Sequence, residues 1–158
     1  GNLIGTLITN SIVNSGSNGT GNIGSSSTYF NTIFAKATSA QYADLAEKYV
    51  ADAEYAPGTV VSFGGEKEVT AAAPMFEMSV IGVVSDKPAY LMNQDLENGT
   101  IVALKGRVPV RVVGSVVKGE PIGVGSEGVG KVNFTQRFGV ALESKETEGE
   151  GLIEVIIL

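Results

Sequence analysis

The first 41 residues carry a single charged side chain, Lys36, whereas the other 10 basic residues and all 17 acidic ones fall between 42 and 158. That break is the clearest boundary in the sequence. The later part carries −7, against −6 for the whole. The early part is rich in Gly, Ser, Thr and Asn, as a flexible tether would be. It is also seeded with Leu3, Ile4, Leu7, Ile8, Ile12, Val13, Ile23, Tyr29, Phe30, Ile33 and Phe34. These are too many apolar side chains for a solvated linker and too dispersed to close a core within one chain. Such a segment becomes stable when copies wrap around one another and bury those side chains jointly, as in fibrous β structures. Residues 1–37 are therefore expected to form a fibrous stalk or intertwined β segment, with a partly disordered lead-in as the alternative.

A chain of 158 residues can bury roughly 70% of its unfolded surface without a disulfide or a metal. It contains no His, Cys or Trp. That excludes Ser-His-Asp and Cys-His triads, Cys- or His-based zinc sites, c-type haem and disulfide scaffolds. No cofactor and no metal are expected. The acidic balance disfavours a nucleic-acid partner. No apolar run approaches the ~18 residues of a membrane span, and no basic segment precedes an apolar one as in a signal peptide, so no membrane insertion is expected.

Residues 38–56 read as a connector. Tyr42, Leu45, Ala46 and Tyr49 follow the spacing of an amphipathic helix, which Thr38 or Ser39 could cap; a short helix or an extended strand fits the segment. From 57 to 158 the signals are β. Thr59 to Phe63 ends in Gly64-Gly65, Val80 to Val84 is an apolar run, and Asn98-Gly99 is a type I′ hairpin signal. Val108, Val110 and Val112 alternate with Arg107, Pro109 and Arg111, the pattern of a half-buried strand. Leu152 to Leu158 is apolar on both faces apart from Glu154, which predicts a strand covered on both sides. There is also an internal repeat. Pro57-Gly58-Thr59-Val60-Val61 followed by Ile81-Gly82-Val83-Val84-Ser85 is echoed by Lys118-Gly119-Glu120-Pro121-Ile122 followed by Phe138-Gly139-Val140-Ala141-Leu142. The expected class is all-β: a fibrous lead-in, the connector, then a compact barrel or sandwich made of two similar halves.

Several motifs have an ordinary explanation. Gly123 to Gly128 matches GxGxxG, and Gly125 to Lys131 matches half of a phosphate-binding loop. Both need a following helix. Here Val132 stands where Ser or Thr would hold magnesium, Glu127 would repel an anion, and the flanks alternate like strands; a hairpin turn is expected. Ser144 and Lys145 are neighbours on an extended segment and face opposite ways, so they make no dyad. Glu143, Glu146, Glu148 and Glu150 read as a solvated loop rather than a calcium site. Lys105, Arg107 and Arg111 are expected to pair with surface carboxylates rather than with phosphate or acidic sugars. Asn18, Asn98 and Asn133 begin glycosylation triplets of the kind that Asn-rich turns produce by chance.

The segment Asn22-Ile23-Gly24-Ser25-Ser26-Ser27-Thr28-Tyr29-Phe30-Asn31-Thr32-Ile33-Phe34-Ala35 resembles an element of bacteriophage tail fibre and tailspike proteins. So does Ala37-Thr38-Ser39-Ala40-Gln41-Tyr42-Ala43-Asp44-Leu45-Ala46-Glu47-Lys48-Tyr49. Pro57 to Val61, Gly82 to Ser85, Pro88 to Asn93, Gly106 to Val110 and Val117 to Gly119 follow in the order of their C-terminal domains. The resemblance implies a non-enzymatic structural virion protein: a homotrimeric tail fibre or spike module for appendage assembly and host attachment. Its partners would be other phage tail or baseplate proteins, and a host cell-surface glycan is a further implied partner. The region is also distantly similar to autoproteolytic intramolecular-chaperone domains of phage appendages, which carry Asp-x-x-Glu after a Ser or small residue and are cut just before the Asp. Asp44-Leu45-Ala46-Glu47 matches that spacing, with Ala43 before it. The alternative is thus a self-processing domain cleaving near Asp44, with Asp44 and Glu47 as acid/base residues.

Overall fold

The computed structural model describes residues 5–17, 20–31 and 42–158, the side chains of residues 76–78 excepted. The chain divides into two units, Gly1–Thr38 and Ser39–Leu158.

Among the described residues of the first unit there is no helix or strand, and every side chain is exposed. Ile8 and Val13 are 92% and 80% accessible. Order is local: the Gly16 N–H donates to Asn14 Oδ1 at 2.9 Å, and the Ser25 N–H donates to the Thr28 carbonyl at 2.9 Å. Leu3, Ile4, Ile33, Phe34 and the two capping candidates Thr38 and Ser39 lie outside the described residues.

The second unit is all-β. Its strands are β1 (Asp44–Tyr49), β2 (Val60–Phe63), β3 (Val69–Ala71), β4 (Val80–Val84), β5 (Tyr90–Met92), β6 (Thr100–Val112), β7 (Pro121–Val124), β8 (Gly130–Val132), β9 (Gly139–Ala141) and β10 (Gly151–Ile157), with a 3-10 turn at Pro74–Ser79. The 13-residue β6 organises them. Its second half pairs antiparallel with β10, from Gly106↔Ile157 to Val112↔Gly151. The order then runs β10-β9-β7-β8, and β8 returns to β6 at Val112↔Gly130. That closes a five-stranded barrel.

The first half of β6 closes a second ring of the same kind. It pairs with β1 and with β4, β4 pairs with β2, and β2 pairs with β3. A parallel bridge, Ala51↔Val69, completes the circuit. Corresponding bonds confirm the repeat. Gly58 N–H donates to the Val84 carbonyl and Gly119 N–H to the Ala141 carbonyl, both at 2.8 Å. Gly64 N–H donates to the Glu68 carbonyl at 3.2 Å, and Gly125 N–H to the Val129 carbonyl at 2.7 Å. Val61↔Ala71 is matched by Ile122↔Val132, and Val61↔Gly82 by Ile122↔Gly139. The halves expected from the sequence are thus two barrels sharing one strand.

Period-two alternation assigns the core. In β6, Val108, Val110 and Val112 are buried while Arg107 and Pro109 are exposed. Val61, Val69, Val84 and Val102 fill the first barrel with Tyr49, Tyr55 and Leu104. Val110, Val112, Ile122, Val124, Ile153 and Val155 belong to the second barrel's core, which Val60, Ala72, Val83 and Ala103 of the first barrel also join. Val102 and Ala103 are both buried because β6 has a barrel on each side.

Three expectations change in detail. Of the Tyr42–Tyr49 stripe, Asp44 to Tyr49 is realised as strand β1, because the open edge of β6 offers it a ladder; the helical option is not taken. Asn98-Gly99 forms no hairpin between β5 and β6. Asn98 has φ of +54°, but β5 pairs only with β1, since β1 and β4 already occupy both edges of β6 there. The C-terminal strand is covered on one face: Ile153, Val155 and Ile157 are buried, while Leu152 is 59% exposed.

Candidate functional site

Asp44 opens β1 and is 5% exposed. A buried carboxylate needs hydrogen-bond donors, and two are present. Ser85 Oγ, just past the end of β4, donates to Asp44 Oδ2 at 2.7 Å, and the Ala89 N–H reaches Oδ1 at 3.3 Å. The same Ala89 N–H donates to the Asp44 carbonyl at 2.9 Å. The preceding carbonyl, Ala43 O, accepts the Arg107 N–H at 3.1 Å. Gly106 makes that approach possible. It sits at φ +106°, and a Cβ there would collide with the Ala43 oxygen.

These groups border a cleft of about 400 Å³ whose lining includes Tyr42, Asp44, Ser85, Lys87, Arg107 and Glu154. The peptide unit between Ala43 and Asp44 therefore lies at a cleft wall, its carbonyl held by one main-chain N–H. Ser85, whose hydroxyl donates to the Asp44 carboxylate, lines the same cleft. The pair fixes the orientation of a hydroxyl and a carboxylate.

Glu47 lies elsewhere. On a strand, residues three apart face opposite ways. Glu47 Oε2 accepts the Tyr49 hydroxyl at 2.8 Å. Burial first, then the hydrogen bond and charge of Glu47 and the charge of Glu68, push the Tyr49 hydroxyl up to about 12. Strand β1 therefore does not bring Asp44 and Glu47 together. Ser85 Oγ and the Ala89 N–H are the groups bonded to Asp44. Ser85 was legible only as the end of a Gly-Val-Val-Ser run, and a cross-strand partner of this kind leaves no spacing signal.

The other motifs resolve locally. The GxGxxG stretch is the β7–β8 hairpin, with Glu127 at φ +52°. The Gly125, Gly128 and Val129 N–H groups are spent on the carbonyls of Val129, Ala72 and Ser126, so no row of N–H donors faces an anion. Ser144 Oγ accepts the Lys118 N–H at 2.9 Å, while Lys145 Nζ turns to the carbonyls of Thr147 and Gly149. Arg111 Nε pairs with Glu150 Oε1 at 2.7 Å, and Glu143 Oε1 accepts the Glu154 N–H at 2.8 Å. Asn133 Oδ1 accepts the N–H groups of Thr135 and Gln136.

No family model and no curated protein sequence matches the chain. Solved structures that share its fold include the following two. The crystal structure of the bacteriophage phi29 gene product 12 C-terminal fragment aligns with a TM-score of 0.57 at 15% identity, covering 73% of this chain and 100% of the fragment. The crystal structure of pre-mature bacteriophage phi29 gene product 12 aligns with a TM-score of 0.61 at 14% identity, covering 78% of this chain. This chain spans 23% of that longer one.

Proposed function

We propose that this chain is a structural virion protein, a module of a homotrimeric phage tail fibre or spike that serves appendage assembly and host attachment. The observation that carries the reading is the double-barrel fold, which aligns with the whole of a phage gene product 12 fragment. The tail-fibre-like motifs at Asn22–Ala35 and Ala37–Tyr49 support it. The lead-in adds a physical reason for a trimer: Ile8, Ile12, Val13 and Ile23 are exposed in the single chain, and three copies would cover them. Its partners would be tail or baseplate proteins and, at the far end, a host surface glycan; its place is the virion. Light scattering on the full chain tests the trimer, and a mass equal to the 16.3 kDa chain at micromolar concentration refutes it. Antibody labelling of intact particles under negative stain tests the location, and label absent from the tail refutes that.

A second reading, self-processing near Asp44, is favoured by the buried Asp44–Ser85 pair beside the Ala43 carbonyl. Against it stand Ala43, which supplies no nucleophile, and the opposite orientation of Glu47. The denatured mass of the expressed longer gene product decides it: loss of the segment ending at Ala43 establishes cleavage, and an intact mass refutes it.

A further inference from the structure

The junction between the two barrels uses one surface from each, and each surface has a counterpart left open in the same chain. On the second barrel the contact is the β7–β8 hairpin end. Gly128 N–H donates to the Ala72 carbonyl and Gly128 O accepts the Val60 N–H, both at 2.8 Å; Val124 beside it is 1% exposed. On the first barrel the contact is an outward row of Val60, Ala72, Val83 and Ala103, all fully buried.

The repeat locates the counterparts. Phe63 holds in β2 the place that Val124 holds in β7, each pairing into the following strand (Phe63↔Val69, Val124↔Gly130). Phe63 is 53% exposed, and the hairpin residues 64–68 that follow are exposed as well. Val140 and Ile156 hold the places of Val83 and Ala103, as the pairs Ile156↔Val140 and Val83↔Ala103 require. Both are only half-buried, and Arg107, paired with Ile156, is exposed. Charged side chains border both open surfaces: Glu66, Lys67 and Glu68 on the hairpin, and Arg107 and Glu154 on the outer face.

We propose that the first-barrel hairpin end of one copy docks on the outer face of the second barrel of another copy, repeating between chains the junction that joins the barrels within one. The inference rests on the self-association proposed above and names its surfaces. Such a contact is heterologous, so each copy gives one surface and receives the other, and the set closes into a ring when the rotation permits.

Sedimentation or native mass spectrometry of the full chain tests it. Phe63→Asp blocks the hairpin end and Ile156→Asp blocks the outer face; each alone should dissociate to monomer at a concentration about tenfold or more above the parent's. An equimolar mixture should recover a dimer, because one intact surface of each kind remains. Arg107→Glu, at an exposed position, probes the same face if Ile156→Asp does not fold, and should weaken association about tenfold with marked salt dependence. Variants that keep the wild-type oligomer, or a mixture that stays monomeric, overturn the docking surfaces while the oligomer itself stands. A monomeric wild-type chain overturns both.

Discussion

Gly82 and Gly139 occupy the same place in the two barrels, and each lies where the main chain of the neighbouring strand passes too close for a side chain. A Cβ on Gly82 would meet the Ala103 carbonyl oxygen; one on Gly139 would lie 2.7 Å from the Ile156 oxygen and 2.5 Å from a Val155 methyl. At both sites a neighbouring carbonyl is β-sheet backbone, which cannot yield as a flexible side chain would. Gly82→Ala and Gly139→Ala should each cost about 2–3 kcal/mol, measured by urea unfolding. A loss below about 0.5 kcal/mol at both sites would contradict the register.

Deleting residues 152–158 removes the strand that closes the second barrel. Ile153, Val155 and Ile157 are buried there, and losing each costs roughly 2–5 kcal/mol, comparable together with the ~5–15 kcal/mol of a typical domain. The truncated chain should be insoluble or unfolded. Leu152→Ala, at an exposed position, should shift stability by less than about 1 kcal/mol. A deletion variant that melts within a few degrees of the parent would refute the closure.

Ser85→Ala leaves the buried Asp44 carboxylate without its hydroxyl donor and should cost about 1–3 kcal/mol, again by urea unfolding. A change near zero would mean that the Ser85 bond contributes nothing in solution.

The raised Tyr49 hydroxyl predicts a fall in stability at alkaline pH. Below pH 10 the group is neutral in both states and its contribution is complete. Between its ordinary value of 10.0 and about 12, the unfolded chain loses the proton while the folded chain keeps it, so stability drops as pH rises. Tm measured from pH 9 to 12 should fall less steeply for Tyr49→Phe than for the parent; identical slopes would count against burial of this hydroxyl.

The β7–β8 hairpin should bind no nucleotide. Titration of ATP and magnesium should give no saturable heat, and saturable binding abolished by Lys131→Ala would show that the turn does cradle phosphate.

The linear sequence was enough for whatever depends on local chemistry. Alternating Val108, Val110 and Val112 marked a half-buried strand because side-chain direction on a strand has period two. Gly58 with Gly82, echoed by Gly119 with Gly139, revealed the duplication because each backbone constraint recurs: positive φ at Gly58 and Gly119, close approach of a neighbouring strand's carbonyl at Gly82 and Gly139. The absent helix after Gly128 followed from the alternating residues around it. What required the tertiary structure was every choice among partners. Tyr42, Leu45, Ala46 and Tyr49 suit a helix stripe or a strand equally, and the free edge of β6 decided for the strand. That choice turned Asp44 and Glu47 to opposite faces and brought Ser85, distant in sequence, to the buried carboxylate. Asn98-Gly99 had the residues of a hairpin but no vacant edge to fold onto. Local propensity is carried by neighbouring residues, whereas pairing and burial depend on which edges and faces the rest of the chain leaves open.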